Sequence, residues 1–509
     1  MRERVRIKPE RNRIRPATSL TLLQACRDAN LFAPWFEDPL TWRAWFAFIA
    51  ALFGLPLTDK QLAIYRKHTG RTEAPSEPAK EGWLICGRRA GKSLILSIIA
   101  VYLATFRDYR PFLQPGERAT IAVIASDRKQ ARTILRYIGA LLREVPMLAA
   151  MIERETSESF DLINSVTIEV STASSRGTRG YTFAAVLCDE IAFWPDEFSS
   201  DPDVEILNAV RPGLGTIDGS MLLCASSPHA KRGALYGAYR RHYGADGSPV
   251  LVWKAATREM NETYSQEKLD AAYEEDAASA SAEYGAEFRS DIAAFIERET
   301  VEACVSTGVR ERLYDAQLSY VGFVDPSGGS RDSFTLAIGH RQGEKIVLDA
   351  IRERKPPFSP DAVTREYAEL LKNYRISKIT GDKFAGAFSA EAFAKHGITY
   401  EQSAKPKSDL YVDMLPILNS GNVDLLDEPR LTAQLVGLER RTARSGRDSI
   451  DHPPNGHDDL ANVVAGIVSN LLTTNLSYRT DLSWVGGDNE DDWRRMRLQR
   501  FINSGGYYK

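Results

Sequence analysis

Gly87-Arg88-Arg89-Ala90-Gly91-Lys92-Ser93 brings together the residue types that hold a chain of phosphates. Glycines let backbone N–H groups approach an anion, Lys92 can reach the terminal phosphates, and the Ser93 hydroxyl can help to hold Mg²⁺. The usual pattern has one more glycine just before this stretch, where Cys86 stands. Further on, an apolar run from Phe183 ends in Asp189 and Glu190. A carboxylate pair behind a Lys-Ser loop suits phosphoryl transfer from ATP to water. Asp189 would hold Mg²⁺ through water, and Glu190 would polarise the attacking water. The plainer alternative is a buried strand whose acidic end meets solvent. Ser226 and Ser227, ahead of Pro228, read equally as γ-phosphate sensors or as an ordinary loop. Arg88, Arg89, Arg176 and Arg179 are cations that can meet charge developing on the γ-phosphate, from the same chain or from a neighbour. Solvated loop arginines or DNA contacts are the alternatives for them.

A second constellation is acidic. Asp325 ends an apolar run before a Gly-rich turn, Asp382 follows Gly381, and Asp458 and Asp459 open a late helix. Converging carboxylates of this kind hold two divalent ions about 4 Å apart, which clamp the attacking water and the leaving oxygen of a phosphodiester. All-oxygen ligands suit Mg²⁺ or Mn²⁺. Taken singly, each Asp reads as a cap or turn residue; their order at element ends favours a nuclease.

The elements that must position these groups alternate. Strands at Trp83–Cys86, Ala119–Ala125, Val166–Val170, Phe183–Asp189 and Met221–Ala225 are interleaved with helices at Leu94–Phe106 and Asp127–Leu142. This pattern predicts a mostly parallel sheet covered on both faces, with the Asp189 strand beside the loop strand. Ahead of it, Leu20 to Leu55 is aromatic-rich and mostly helical, with breaks at Pro34 and Pro39, a lid or packing layer. Thr58 caps a short helix whose Gln61 can read an adenine edge through its two-sided amide or sit on an exposed face. Residues 262–288 read as an acidic, Ala-rich helical connector. A hairpin set from Leu318, a helix, the Asp382 strand and a final helix to about Leu472 then suit a ribonuclease-H-like sheet.

The 509 residues exceed one ordinary core, and a net charge of −3 confines any nucleic-acid surface to local patches. Five scattered cysteines fit buried thiols rather than disulfides or zinc. The apolar stretch from Ala44 to Leu57 is shorter than the ~20 residues of a spanning helix, and the Arg-rich start has no apolar core behind it. A soluble cytosolic protein is expected. The Arg-rich arm, Arg2 to Arg15, reads as a solvated segment, with DNA or partner binding the alternative.

From residue 55 to residue 475 the chain resembles the large terminase subunit of tailed bacteriophages. The resemblance rests on the loop with its early Arg88 and no first glycine, on Gln61, on Asp189 and Glu190, and on Ser226-Ser227-Pro228. It rests further on Tyr284 to Arg289, and on Asp325, Asp382 and His457-Asp458-Asp459. It implies an α/β chain with an N-terminal P-loop (ASCE-type) ATPase domain and a C-terminal ribonuclease-H-like nuclease domain. The expected division is an arm and helical lid (1–55), ATPase (56–260), helical connector (261–309), nuclease (310–475) and tail (476–509). By resemblance, Gln61, Gly87 to Ser93, Asp189, Ser226 and Ser227 bind ATP and Mg²⁺. Glu190 is then the catalytic base, Arg88 a cis arginine and Arg179 one offered to a neighbour's ATP. Asp325, Asp382 and Asp458 or Asp459 are the metal ligands, with Asp332 a possible fourth and Mn²⁺ accepted there.

The implied function is ATP-driven translocation of double-stranded DNA into a procapsid with cutting of concatemers. The implied partners are a portal protein, a small terminase subunit and a pentameric ring of copies. No membrane is involved, and the setting is the host cytoplasm at the procapsid rather than the mature virion. A helicase-like or repair ATPase-nuclease, and a packaging ATPase with a vestigial nuclease, are the competing readings.

Overall fold

Apolar runs separated by helices assemble into an eight-stranded sheet. Its strands are β1 (Glu81–Cys86), β2 (Ala119–Ala125), β3 (Ile152–Glu155), β4 (Ser159–Leu162), β5 (Val166–Thr172), β6 (Phe183–Asp189), β7 (Met221–Ser226) and β8 (Val250–Ala255). They lie in the order β3-β4-β5-β2-β6-β7-β1-β8. Every pairing is parallel except β3 with β4 and β4 with β5. β2, β6 and β7 are buried along their whole length, as parallel strands covered on both faces must be. The computed structural model describes residues 20–173, 180–194, 199, 201–330, 332–382, 386–442, 448–454 and 456–482. The Arg-rich arm, Arg176, Arg179 and the acidic tail lie outside the described residues.

One expectation changes. β6 is not beside β1, because β7 stands between them. The Ser226-Ser227 tip thereby lies between the phosphate loop and the acidic pair. The apolar stretch after Trp42 is a helix, Arg43–Leu52, buried all round from Ala44 to Leu52, as a helix apolar on every side must be. The expected helical layer before it is reduced to Leu22–Ala25 and a 3₁₀ turn at Ala33–Trp35, with Pro34 inside the turn. All five cysteines are free and buried. Among the described residues no helix is long and apolar enough to cross a membrane.

After β9 (Ile292–Ala294) comes a second sheet: β10 (Val305–Ser306), β11 (Tyr320–Asp325), β12 (Phe334–Gln342), β13 (Lys345–Arg354), β14 (Lys378–Gly381), β15 (Thr399–Gln402) and β16 (Val423–Leu426). The order is β10-β16-β13-β12-β11-β14-β15. Its centre is an antiparallel meander, β13-β12-β11, continued by β14 parallel to β11 and β15 parallel to β14. That is the ribonuclease-H-like arrangement, extended at the β13 edge by β16 and β10. The chain is therefore α/β, with a P-loop ATPase-type sheet followed by a ribonuclease-H-like one.

β17 (Glu439–Thr442) and β18 (Asp448–Asp451) then pair with β9 as an antiparallel three-stranded sheet. The chain divides into two compact units, Met1–Phe295 with Glu439–His457, and Ile296–Leu438 with Asp458–Lys509. The boundaries differ from the expected ones. Helices Gln266–Glu275 and Ala277–Glu283 of the expected connector fall in the first unit, as does the β17–β18 hairpin from within the expected nuclease.

Candidate active sites

The phosphate loop joins β1 to the Lys92–Phe106 helix. Gly91 takes φ +103°, a left-handed conformation that only glycine adopts without strain. The buried Lys92 ammonium donates to the Cys86 and Gly87 carbonyls (3.0 and 3.3 Å) and lies 3.1 Å from Glu190 Oε1. The Cys86 contact is with its backbone, so the loop does not need a glycine there to hold the lysine. The Ser93 hydroxyl donates to Asp189 Oδ2 at 3.0 Å.

Asp189 ends β6 fully buried, and among the described residues its Oδ1 has no hydrogen-bond partner. Burial, then repulsion from Glu190, pushes its carboxyl up to about 6. A buried carboxylate oxygen without a donor, next to a serine hydroxyl, fits a divalent cation. Glu190 adopts φ 51°, ψ 45°, a left-handed conformation rare for a side chain of its size. Its Oε2 accepts from Ser227 N (3.1 Å), Ser226 Oγ (3.2 Å) and Ser227 Oγ (3.4 Å). The strand between the loop and the acidic pair thus fixes the glutamate. Asp189, Glu190, Lys92, Ser93, Ser226 and Ser227 lie together.

Three other candidates sit apart from this cluster. Arg88 is half exposed and pairs with Glu283 at 3.3 Å, while Arg89 is exposed. Gln61 spends its amide oxygen on its own helix, accepting from Thr58 N and Oγ1 at 3.1 Å. A residue the sequence reading overlooked enters instead. Gln130, in the first turn of the Arg128–Glu144 helix, donates to Asp189 Oδ2 (2.8 Å) and Ser93 Oγ (3.1 Å). Its only sequence signal was its place three residues after the Asp127 cap.

In the second unit, Asp325 ends β11 and Asp382 follows β14. The two parallel strand ends are linked by Asp382 N donating to Val324 O at 3.1 Å. Gly381 has no room for a side chain, because an added Cβ would stand 2.5 Å from the Tyr400 ring. Tyr400 in turn donates to the Asp382 carbonyl at 2.8 Å. The Asp459–Leu482 helix starts at these strand ends, its first N–H groups from Leu460 and Ala461 held by Gln434 Oε1 (2.8 and 3.1 Å).

From that helix Asn462 donates to Asp325 Oδ2 (2.7 Å) and Asp382 Oδ2 (3.3 Å). It is one polar residue in the run Leu460-Ala461-Asn462-Val463-Val464, and that contrast was its signal. Burial, joined by weaker repulsion from Asp382, Asp459 and Asp458, outweighs the opposing Asn462 hydrogen bond and pushes Asp325 up to about 7. Asp458 accepts from Tyr411 (2.8 Å) and lies 2.9 Å from Lys407. Asp332 is exposed and is not among the carboxylates that raise Asp325. Asp325 and Asp382 at two strand ends share the Asn462 donor, and Asp459 opens the helix that carries it; carboxylate oxygens of this kind suit Mg²⁺ or Mn²⁺.

The chain past Ser226 and Ser227 continues into a third buried cluster of the first unit. His229, two residues past Ser227, meets Glu439 Oε1 at 3.1 Å, and Arg232 meets the same oxygen at 2.8 Å. Arg441 holds Glu439 Oε2 at 3.2 Å. Glu439 is completely buried, and although burial raises its pKa, these partners hold it below the ordinary value. A depressed carboxyl adds stability above its unfolded pKa and loses it as pH falls through the folded one. Glu439→Gln is expected to cost about 2–3 kcal/mol at pH 7, because one buried anion is removed from three partners. The difference from the parent should shrink below about pH 4.5, where the carboxyl protonates in the unfolded chain. Urea unfolding at pH 7 and pH 4 checks both statements.

A family model for the terminase large subunit, T4likevirus-type, N-terminal, matches residues 84–201. No curated protein matches the chain. Among solved structures, the large terminase of bacteriophage HK97 is similar at 15% identity, over 77% of this chain and 91% of that one, with a TM-score of 0.34. The large terminase of a thermophilic bacteriophage, solved in complex with ADP, is similar at 12% identity, over 77% and 94%, with a TM-score of 0.33. The large terminase nuclease of thermophilic phage G20c with bound magnesium is similar at 15% identity, over 35% and 98%, with a TM-score of 0.31. Through residues 84–201, which hold the phosphate loop and the Asp189–Glu190 pair, the chain is similar to the N-terminal part of the terminase large subunits.

Proposed function

We propose that this chain is the engine and cutter of a phage DNA-packaging motor, hydrolysing ATP to move duplex DNA and cleaving it at a two-metal site. The observation that carries the reading is the coexistence of two separate acidic sites, one in each compact unit. In the first, Lys92 and the loop N–H groups bind the phosphates. Ser93 and Asp189 would hold Mg²⁺, which neutralises phosphate charge when bound. Glu190, aimed by Ser226 and Ser227, orients and deprotonates the attacking water. Glu190 is held by Ser226 and Ser227, and His229, two residues on, is held by Glu439, which supports a coupling role for this segment.

In the second, Asp325, Asp382 and Asp459 would hold Mg²⁺ or Mn²⁺, which supply a hydroxide and a clamp for the scissile phosphate. Asp458, already engaged by Tyr411 and Lys407, supports that site from behind. Asn462 spaces the first two carboxylates. Arg179 as a trans arginine, a ring of copies, a portal and a small subunit belong to the same proposal. The test is whether one preparation both hydrolyses ATP faster with linear duplex DNA and nicks supercoiled plasmid with Mn²⁺. An inert nuclease beside a working ATPase would favour the vestigial reading, and no nucleotide hydrolysis would remove the motor.

A further inference from the structure

The Arg128–Glu144 helix buries Ile134, Ile138, Leu141 and Leu142 and turns Arg128, Lys129, Arg132 and Arg136 outward, all four exposed. Among the described residues, none of these four has a carboxylate within ion-pair distance. Arg143, further along the same helix, is paired with Glu155. The placement works against helix stability. The first turn holds two cations and no acid, whereas the positive helix end favours anions, and only the Asp127 cap offsets it. Arg128, Arg132 and Arg136 recur every four residues, about 6 Å apart along the axis. A cationic ridge of that pitch complements a regular row of phosphates such as the backbone of duplex DNA. The net charge of −3 gives the whole chain no general attraction for DNA, so such a ridge has to supply it locally.

The same helix also reaches the nucleotide site. Gln130, in the first turn beside the ridge, donates to Asp189 and to Ser93. We infer that this helix is a duplex-DNA backbone contact, with Arg128, Lys129, Arg132 and Arg136 on phosphates and Gln130 passing its position to Asp189. The inference rests on the proposed action on double-stranded DNA and names the surface that grips it.

The experiment compares the full chain with the variant Arg128→Ala/Lys129→Ala/Arg132→Ala/Arg136→Ala and with single Arg132→Glu. Binding to a 30-base-pair duplex of arbitrary sequence is titrated by fluorescence anisotropy without divalent metal, across a salt series. Each phosphate contact contributes about 0.9 to the slope of log K against log salt, so the quadruple variant should lose about 2–3.5 units of slope and bind at least about tenfold more weakly. ATP turnover without DNA should be unchanged, which also reports an intact fold, while stimulation by DNA falls away. Arg110→Ala, which removes a cation paired with Asp108, should do neither. Unchanged slope and stimulation in the quadruple variant, with the parent binding DNA, would overturn the ridge alone. A parent that neither binds duplex nor responds to it would overturn the ridge and the DNA-motor reading together.

Discussion

Glu190→Gln is expected to lower ATP turnover by about 10²–10⁴-fold while leaving ATP binding within a few-fold of the parent. Glutamine keeps the length and can still accept from Ser226 and Ser227, so the 190 position remains built. What disappears is the charge proposed to orient and deprotonate water, and with it the 3.1 Å pair to Lys92. Lys92→Ala should fail differently. It removes the cation that meets the terminal phosphates, so the loss appears in nucleotide affinity as well as in turnover. Separating the two requires nucleotide affinity by equilibrium binding alongside steady-state phosphate release. Near-normal turnover by Glu190→Gln would remove the base assignment, whatever Lys92→Ala does.

Asp325→Asn is expected to reduce Mn²⁺-dependent plasmid cutting by at least about 10²-fold and, without metal, to make the fold more stable. The stability half has a defined pH course. The folded-state pKa of Asp325 is about 7, above the ordinary value of 3.8. The native chain therefore holds a proton that the unfolded chain has released, and stability is lost as pH rises between those two values. Asparagine carries no such charge and can still accept from Asn462. The metal-free variant should thus exceed the parent by roughly 1–3 kcal/mol at pH 8, scaled down because Asp325 keeps part of its surface open. The two should converge near pH 4. Adding Mn²⁺ at pH 8 should stabilise the parent and not the variant. A variant less stable than the parent at pH 8 without metal would show that the carboxylates do not repel one another as their geometry requires.

The sites differ in how legible they were. The phosphate loop and the acidic pair in the first unit, and Asp325, Asp382 and Asp459 in the second, lie at element ends marked by glycine or by a run of apolar residues, and strand polarity brings the strand-end members of each set to one end of their own sheet. What could not be read is pairing between elements distant in sequence. β7 inserts between β1 and β6, so the acidic strand reaches Ser93 across a neighbour, and nothing in either strand's composition encodes that order. Gln130 and Asn462 are amides, without charge or motif, and acquire meaning only when the helix start meets Asp189 or Asp325. The hairpin after Glu439 reads as nuclease by position, yet its buried carboxylate answers to His229 and Arg232 two hundred residues earlier in the chain. Gln61 shows the reverse case, a side chain with a ready chemical reading whose oxygen is taken by its own helix cap.

The central claim is that one chain carries two independent hydrolytic sites. Its most direct test is a crossed assay of Glu190→Gln and Asp325→Asn, each measured for ATP turnover with Mg²⁺ and for plasmid cutting with Mn²⁺ without nucleotide. Glu190→Gln should lose turnover and keep cutting, while Asp325→Asn should keep turnover and lose cutting. Loss of both activities in either properly folded variant, or retention of cutting by Asp325→Asn, would contradict it.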